Sequence, residues 1–208
     1  MGLAFSGDAF DDAAREIIRA GRRLAERGLV AAHSGNISCR LGSGGILITA
    51  SGVYKGGLTM QDLLCVDDQG NLLGNPSGFG RRPSTEMALH LALYRDYPQI
   101  EAIVHAHPPY ATAMACSQKE LDWQLLEESA LFLGPTPLLP RLGAGSRELA
   151  GEAAAAAKGV NALLLTGHGA VSWGNCIEMA LCRMEILEHT AKVMLLAKGY
   201  APQGSDDA

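Results

Sequence analysis

No cysteine pair in this sequence has the C-x-x-C spacing of a metal or redox motif. The five cysteines, Cys39, Cys65, Cys116, Cys176 and Cys182, form an odd and irregular set. They read as buried or reduced thiols of a cytoplasmic protein, and none sits in a nucleophile context. Basic clusters are equally scarce. No Lys/Arg run exceeds the pairs Arg22-Arg23 and Arg81-Arg82, and the formal net charge is -5. A nucleic-acid partner or an anionic membrane surface is therefore unsupported. No apolar stretch approaches the length of a membrane span. Residues 1–10 lack a basic segment followed by an apolar run, so no signal peptide is expected. The start fits the loose myristoylation pattern through Gly2 and Ser6, but no second anchoring signal follows. There is no P-loop, no G-x-G-x-x-G after a first strand and no G-x-S-x-G, so nucleotide and serine-hydrolase chemistry lack support.

What is present is the composition of a soluble globular domain: 208 residues, 48% apolar and 19% charged. Asp8 to Arg27 predicts an amphipathic helix, with Phe10, Ala14, Ile17, Ile18, Gly21 and Leu24 on one face and Gly28 as its stop. Ile37, Cys39 and Leu41 alternate with polar residues. The turn Gly42-Ser43-Gly44-Gly45 then leads into Ile46 to Thr49, a hairpin. A strand is expected over Leu63 to Val66, followed by a turn at Asp68-Gln69-Gly70-Asn71. A Gly/Pro/Ser/Asn-rich loop from Gly74 to Arg82 precedes a helix over Thr85 to Tyr97.

Ala102 to His107 is a short apolar run that predicts a buried strand, and Pro108-Pro109 ends it and opens the next helix. Proline-broken strands are expected over Leu131 to Leu139. Ser146 caps a helix through Ala153 to Ala157, stopped by Gly159. Ala162 to Thr166 is another buried strand. Asn175 is expected to cap a last long helix, with Glu178 three residues on and Gly199 at its end. Strands and helices alternate but hairpins occur too. The expected class is α/β, a three-layer α/β/α sandwich around a mixed, mostly antiparallel sheet. Residues 1–200 are expected to form one domain, and 201–208 a frayed tail.

Chemistry concentrates in a few segments. His105-Ala106-His107 lies at the end of a predicted buried strand. Residues i and i+2 of a strand point the same way, so both imidazoles reach one point in space, as a metal site needs. His168 lies between two glycines just after the second buried strand, and a third imidazole completes the ligand count of an open, catalytic metal centre. Glu86 starts a predicted helix. Such a carboxylate either complements the helix dipole or ligates a metal and exchanges a proton with substrate. Ser34-Gly35-Asn36, Ser51-Gly52 and Ser84-Thr85 offer hydroxyls, an amide and N–H groups at strand ends and a helix start. Each can be a turn or cap, and together they can cradle a phosphate.

Ser34-Gly35-Asn36-Ile37-Ser38, Thr49-Ala50-Ser51-Gly52, Pro83-Ser84-Thr85-Glu86, His105-Ala106-His107 and Gly167-His168-Gly169 fall in the order and spacing of one known family. The sequence resembles the class II aldolase/adducin family from its first helix to Gly199. Members include L-fuculose-phosphate aldolase, L-ribulose-phosphate 4-epimerase, rhamnulose-phosphate aldolase, methylthioribulose-phosphate dehydratase, oxo-tetronate-phosphate decarboxylases and non-catalytic adducin heads. The resemblance implies that His105, His107 and His168 bind Zn2+, or Mn2+ or Co2+ in its place. Glu86 would be fourth ligand and general acid/base, and Asn36, Ser51, Gly52, Ser84 and Thr85 would hold the substrate phosphate. It further implies a homotetramer with sites at subunit interfaces. The expected activity is aldol or retro-aldol cleavage of a small phosphorylated ketose through a metal-stabilised enediolate. Decarboxylation of a phosphorylated oxo-acid, epimerisation, dehydration and a metal-free interaction module are the alternatives. Aldolases of this type can carry a catalytic tyrosine in a C-terminal extension. Here Tyr200 lies near the end, Glu127 to Leu139 holds no tyrosine, and Tyr110 follows the histidine pair.

Overall fold

A computed structural model of the chain describes residues 8–42, 44–74 and 80–199. Eight strands form one sheet in the order β4-β3-β2-β1-β5-β8-β7-β6. They are β1 (Asn36–Arg40), β2 (Ile46–Thr49), β3 (Leu63–Val66), β4 (Leu72–Gly74), β5 (Ala102–Ala106), β6 (Leu138–Leu139), β7 (Ala162–Leu165) and β8 (Gly169–Gly174). Every neighbouring pair is antiparallel except β6 with β7. The mixed, mostly antiparallel sheet expected from the hairpins is the one observed.

Both faces of the sheet are apolar, because helices cover both. On one face lie α1 (Asp8–Glu26), α3 (Pro109–Cys116) and α5 (Ile177–Gly199), packed on Ile37, Leu47, Val104 and Ala170. On the other lie α2 (Met87–Asp96) and α4 (Arg147–Ala156), packed on Ile48, Ile103, Leu163 and Val171. Alternation along β5 puts Val104 into the first core and Ile103 into the second. That makes the three-layer α/β/α arrangement.

Most predicted elements appear within two residues of their expected ends; one predicted run differs, the strands β4 and β8 have no predicted counterpart, and one helix cap moves. Leu131 to Leu139 is not a strand run. Ser129–Leu133 forms a π-helical turn, Gly134 follows at φ 72°, and only Leu138–Leu139 pairs, parallel to β7. Pro135 and Pro137 bring no N–H to a ladder, which limits pairing to the end of the segment. Gly169–Gly174 is a six-residue central strand that patterning leaves unassigned, since glycine at each end masks its apolar run. The last helix begins at Ile177. Cys176 Sγ accepts from the Met179 N–H at 3.4 Å, in the capping position expected of Asn175. The Ser146 cap is present, with its hydroxyl accepting from Leu149 N–H.

The expected tail 201–208, Tyr200 and most of the 74–82 loop lie outside the described residues. The five thiols are unpaired, and burial pushes Cys39 and Cys65 up to about 12 and about 11, too high for nucleophiles at neutral pH. Among the described residues, no helix is long and apolar enough to cross a membrane.

Candidate active site

The α2/α4 face of the sheet ends in a polar cleft at the C-terminal end of β5. His105 is on β5 and His107 one residue past it, so both project from the same face. His168 sits in the tight β7–β8 hairpin, its N–H donating to Leu165 O. The flanking glycines have separate reasons. Gly167 takes φ +69°, which an L side chain rarely adopts, and Gly169 passes against β5. A Cβ on Gly169 would collide with the Ala106 carbonyl and stand 2.8 Å from His107 Cδ2. Gly169→Ala is accordingly expected to cost about 1–3 kcal/mol by overpacking and to push His107 out of register. Urea melts measure the first effect. A variant as stable as the parent would show that the strands can yield there.

The three imidazoles converge. Their ring centroids are 4.7–5.0 Å apart and one nitrogen of each lies within 4.8 Å of the others. Glu86 completes the group: Oε2 is 3.0 Å from His105 Nε2, and Oε1 is 3.1 Å from His168 Nε2. Glu86 is the residue before the first turn of α2, yet its carboxylate makes no cap hydrogen bond and is buried. The helix-dipole explanation therefore does not account for where its side chain goes.

The donor set fits a divalent cation. His105 Nδ1–H donates to Ala170 O at 2.9 Å, which leaves Nε2 as a bare lone pair in the neutral ring. That lone pair faces His107 Nε2 at 3.1 Å and a carboxylate oxygen at 3.0 Å. A positive charge shared among them, as a bound metal ion or a proton supplies, makes such a meeting of acceptors favourable. Nitrogens bound tetrahedrally at about 2.0–2.1 Å from zinc lie roughly 3.3 Å from one another, close to this spacing. Burial, and then the neighbouring His105 and His168, push His107 down to about 4, so its ring is neutral at pH 7, the form a metal ligand needs. Burial alone would raise the Glu86 carboxyl. Positive charge at the facing His105 and His168 nitrogens outweighs it and holds Glu86 well below the carboxylate range.

The expected anion segments open into the same cleft. An isolated bridge joins Ala50 to Pro83, and Ser51 N–H donates to Arg82 O. These bonds bring Ser51-Gly52 beside Ser84-Thr85. Asn36, Ser51, Gly52, Ser84 and Thr85 line the cleft together with Glu86 and His107. Asn36 also donates to Glu86 Oε2 at 2.9 Å, so it touches both ends.

Two residues here escape the sequence patterns. Lys55 lines the cleft with its side chain buried, and its Nζ donates to Val53 O at 2.7 Å and His33 O at 3.3 Å. Its only sequence signal is a lysine four residues past Ser51 beside two glycines. Gly21 lets this segment approach α1, since a Cβ there would be 2.5 Å from Lys55 O. His90 is fully buried behind Asn36. Its signal is positional, four residues after Glu86 and so on the same helix face. Tyr110 packs beneath Lys192, whose Nζ is 5.4 Å from its ring centroid, and its N–H donates to Glu188.

Residues 15–195 match the sequence model of the class II aldolase and adducin N-terminal domain. The chain is 36% identical to a methylthioribulose-1-phosphate dehydratase of Methylococcus capsulatus, covering 86% of this chain and 91% of that protein. It is 34% identical to a 3-oxo-tetronate 4-phosphate decarboxylase of Haemophilus influenzae, with 88% and 87% covered. The crystal structure of L-fuculose-1-phosphate aldolase from Thermus thermophilus superposes with a TM-score of 0.78 at 32% identity, over 93% of this chain and 100% of that one.

Proposed function

The chain belongs to the class II aldolase and adducin family, and on that premise we propose that it is a divalent-metal lyase that breaks a bond beside the carbonyl of a small phosphorylated substrate. The observation that carries this is the convergence of His105, His107, His168 and the Glu86 carboxylate at one end of a cleft whose other end is lined with neutral donors. These four side chains would hold the metal, zinc first and manganese or cobalt next. When bound, it supplies Lewis-acid stabilisation of the negative charge that develops on substrate oxygens during the reaction.

The chain's own groups do the rest. Asn36, Ser51, Gly52, Ser84 and Thr85 hold the phosphate and thereby fix the distance from it to the reacting carbon. In the retro-aldol direction Glu86, oriented by the Asn36 amide, takes the proton of the hydroxyl on the departing carbon as the carbon–carbon bond breaks to leave an aldehyde. It then returns that proton to the carbon beside the carbonyl. Retro-aldol cleavage of a phosphorylated ketose uses these roles directly. Decarboxylation of a phosphorylated oxo-acid is the second reading, favoured by the 34% identity to a decarboxylase, and it develops the same charge next to the same carbonyl. Assays on both substrate types separate them: one releases an aldehyde, the other carbon dioxide. The five free thiols, Cys39 and Cys65 buried and Cys116 and Cys176 exposed, support a reducing, cytoplasmic setting.

The metal claim has its own test. Purified protein is expected to carry about one divalent ion per chain, and His107→Ala almost none, by elemental analysis. A metal held at about 100 times its dissociation constant contributes roughly 2.7 kcal/mol. For a chain of this size that corresponds to a Tm drop of about 5–10 °C on chelation. Equal metal content in the two proteins would remove the proposal.

A further inference from the structure

Behind Glu86 stands a row of buried polar side chains that the proposed chemistry does not use. On α2 and the residue before it, Glu86, His90 and Tyr94 recur every four residues and share one helix face. On β1, Asn36, Ser38 and Arg40 alternate and share one sheet face. The two stripes meet. Asn36 Nδ2 donates to Glu86 Oε2, and Asn36 Oδ1 lies 2.5 Å from His90 Nε2. His90 Nδ1 lies 2.6 Å from Ser38 Oγ, which lies 2.8 Å from the Tyr94 hydroxyl. Ser38 and His90 have no exposed surface, and Asn36 and Tyr94 almost none. Arg40 closes the far end. Its guanidinium donates to the Tyr94 and Ile100 carbonyls and lies 4.8 Å over the Tyr94 ring.

Donor and acceptor chemistry gives this row a direction. The Glu86 carboxylate can only accept, so the Asn36 amide must turn its nitrogen to Glu86 and its oxygen to His90. His90 Nε2 must then carry a hydrogen. Burial, and then the charge of His105, push His90 down to about 3, so the ring is neutral and Nδ1 is bare. Nδ1 accepts from the Ser38 hydroxyl, and Ser38 accepts from Tyr94. Every donor points towards Glu86. A flipped Asn36 would set its carbonyl against the carboxylate. Apolar residues of the same shape would stabilise this space about as well, which leaves orientation as what the polar row supplies.

We propose that Tyr94, Ser38 and His90 form a one-way hydrogen-bond row that locks the Asn36 amide, and that His90 is a positioning residue for both the Glu86 carboxylate and the anion cleft. One Asn36 N–H is thereby kept on Glu86 and the other left for the cleft that Asn36 lines. The roles of Asn36 and Glu86 in turnover rest on the function proposed above. The orientation of the row does not.

The test has two arms on the full chain in its metal-loaded form. Nitrogen-15 imidazole spectra, assigned by comparison with His90→Gln, should show His90 as a single neutral Nε2–H tautomer, unchanged between roughly pH 5 and pH 9. An Nδ1–H tautomer would mean a flipped Asn36 and would overturn the proposal. In the second arm, inorganic phosphate is titrated as a competitive inhibitor. His90→Gln can still donate to Asn36 Oδ1 and should bind phosphate within about threefold of wild type. His90→Leu leaves that oxygen buried without a donor and should bind about tenfold or more weakly, with metal content unchanged. Wild-type phosphate affinity in a folded His90→Leu protein would also overturn it. If His90→Leu does not fold, the wild-type tautomer still decides. If wild-type protein binds no inorganic phosphate, the phosphate assignment fails, and the tautomer alone decides the row.

Discussion

Glu86→Gln is expected to lower turnover by about 10²–10⁴-fold while the protein stays folded. The amide keeps the shape of the carboxylate and its oxygen can still accept from Asn36 Nδ2, so the buried contact at 2.9 Å survives. The helix loses nothing at its start, because the Glu86 side chain makes no cap hydrogen bond there. What the amide lacks is the ability to take a proton, together with the charge that faces His105 and His168 at 3.0 and 3.1 Å. A residue serving only the helix dipole would cost at most about 1 kcal/mol and leave activity alone. Single-turnover kinetics beside a thermal melt distinguish the two. A Gln variant that is folded and fully active would sink the mechanism.

That Glu86 turns inward could not be decided from the sequence, and the reason is local. A carboxylate at the start of a helix is common, and α2 would form with or without a partner for it. His105 and His107 were legible because strand period alone places them on one face, whatever the strand packs against. The third imidazole was legible only through its glycines, and Gly167 and Gly169 do have the steric reasons that pattern suggests. Gly169–Gly174 was not, since a fully buried strand flanked by glycine and pairing on both sides shows no alternation to read. Leu131 to Leu139 misled because a short apolar run ahead of prolines suits a broken strand and a π-helical turn equally. Lys55 and His90 were hidden for a different reason. Neither belongs to a local motif, and each gains meaning only from what folding sets against it, Ser51 and Ser84 around one cleft and Asn36 behind the other.

Removing the phosphate from the productive substrate is expected to lower kcat/KM by about 10³-fold or more. Each hydrogen bond to a charged oxygen is worth about 1.5–3 kcal/mol, so two or three of the neutral donors already supply that factor. Lys55 adds the cation that the motifs themselves lack. No carboxylate forms an ion pair with it among the described residues, and the nearby Asp62 is held at 2.9 Å by Arg81 instead. Two carbonyls are its hydrogen-bond partners, and burial draws it down from the ordinary lysine value to about 8. The charge of Asp62 offsets that burial only in part, and a phosphate dianion in the cleft would offset more of it. The sign of the pH dependence follows. Below about pH 8 the free protein carries the charge, and as pH rises through that value the charge is lost. The kcat/KM for the phosphorylated substrate, which reports groups of the free enzyme, should therefore fall on the alkaline side with a midpoint near 8. In Lys55→Met that limb should vanish at a level about tenfold lower. Asn36→Ala and Ser84→Ala should depress the phosphorylated substrate and spare a slow unphosphorylated analogue. Comparable turnover of both substrate forms by wild-type protein would break the phosphate assignment, and the cleft would then have to be read as the binding site of a free acid, with Lys55 facing its carboxylate.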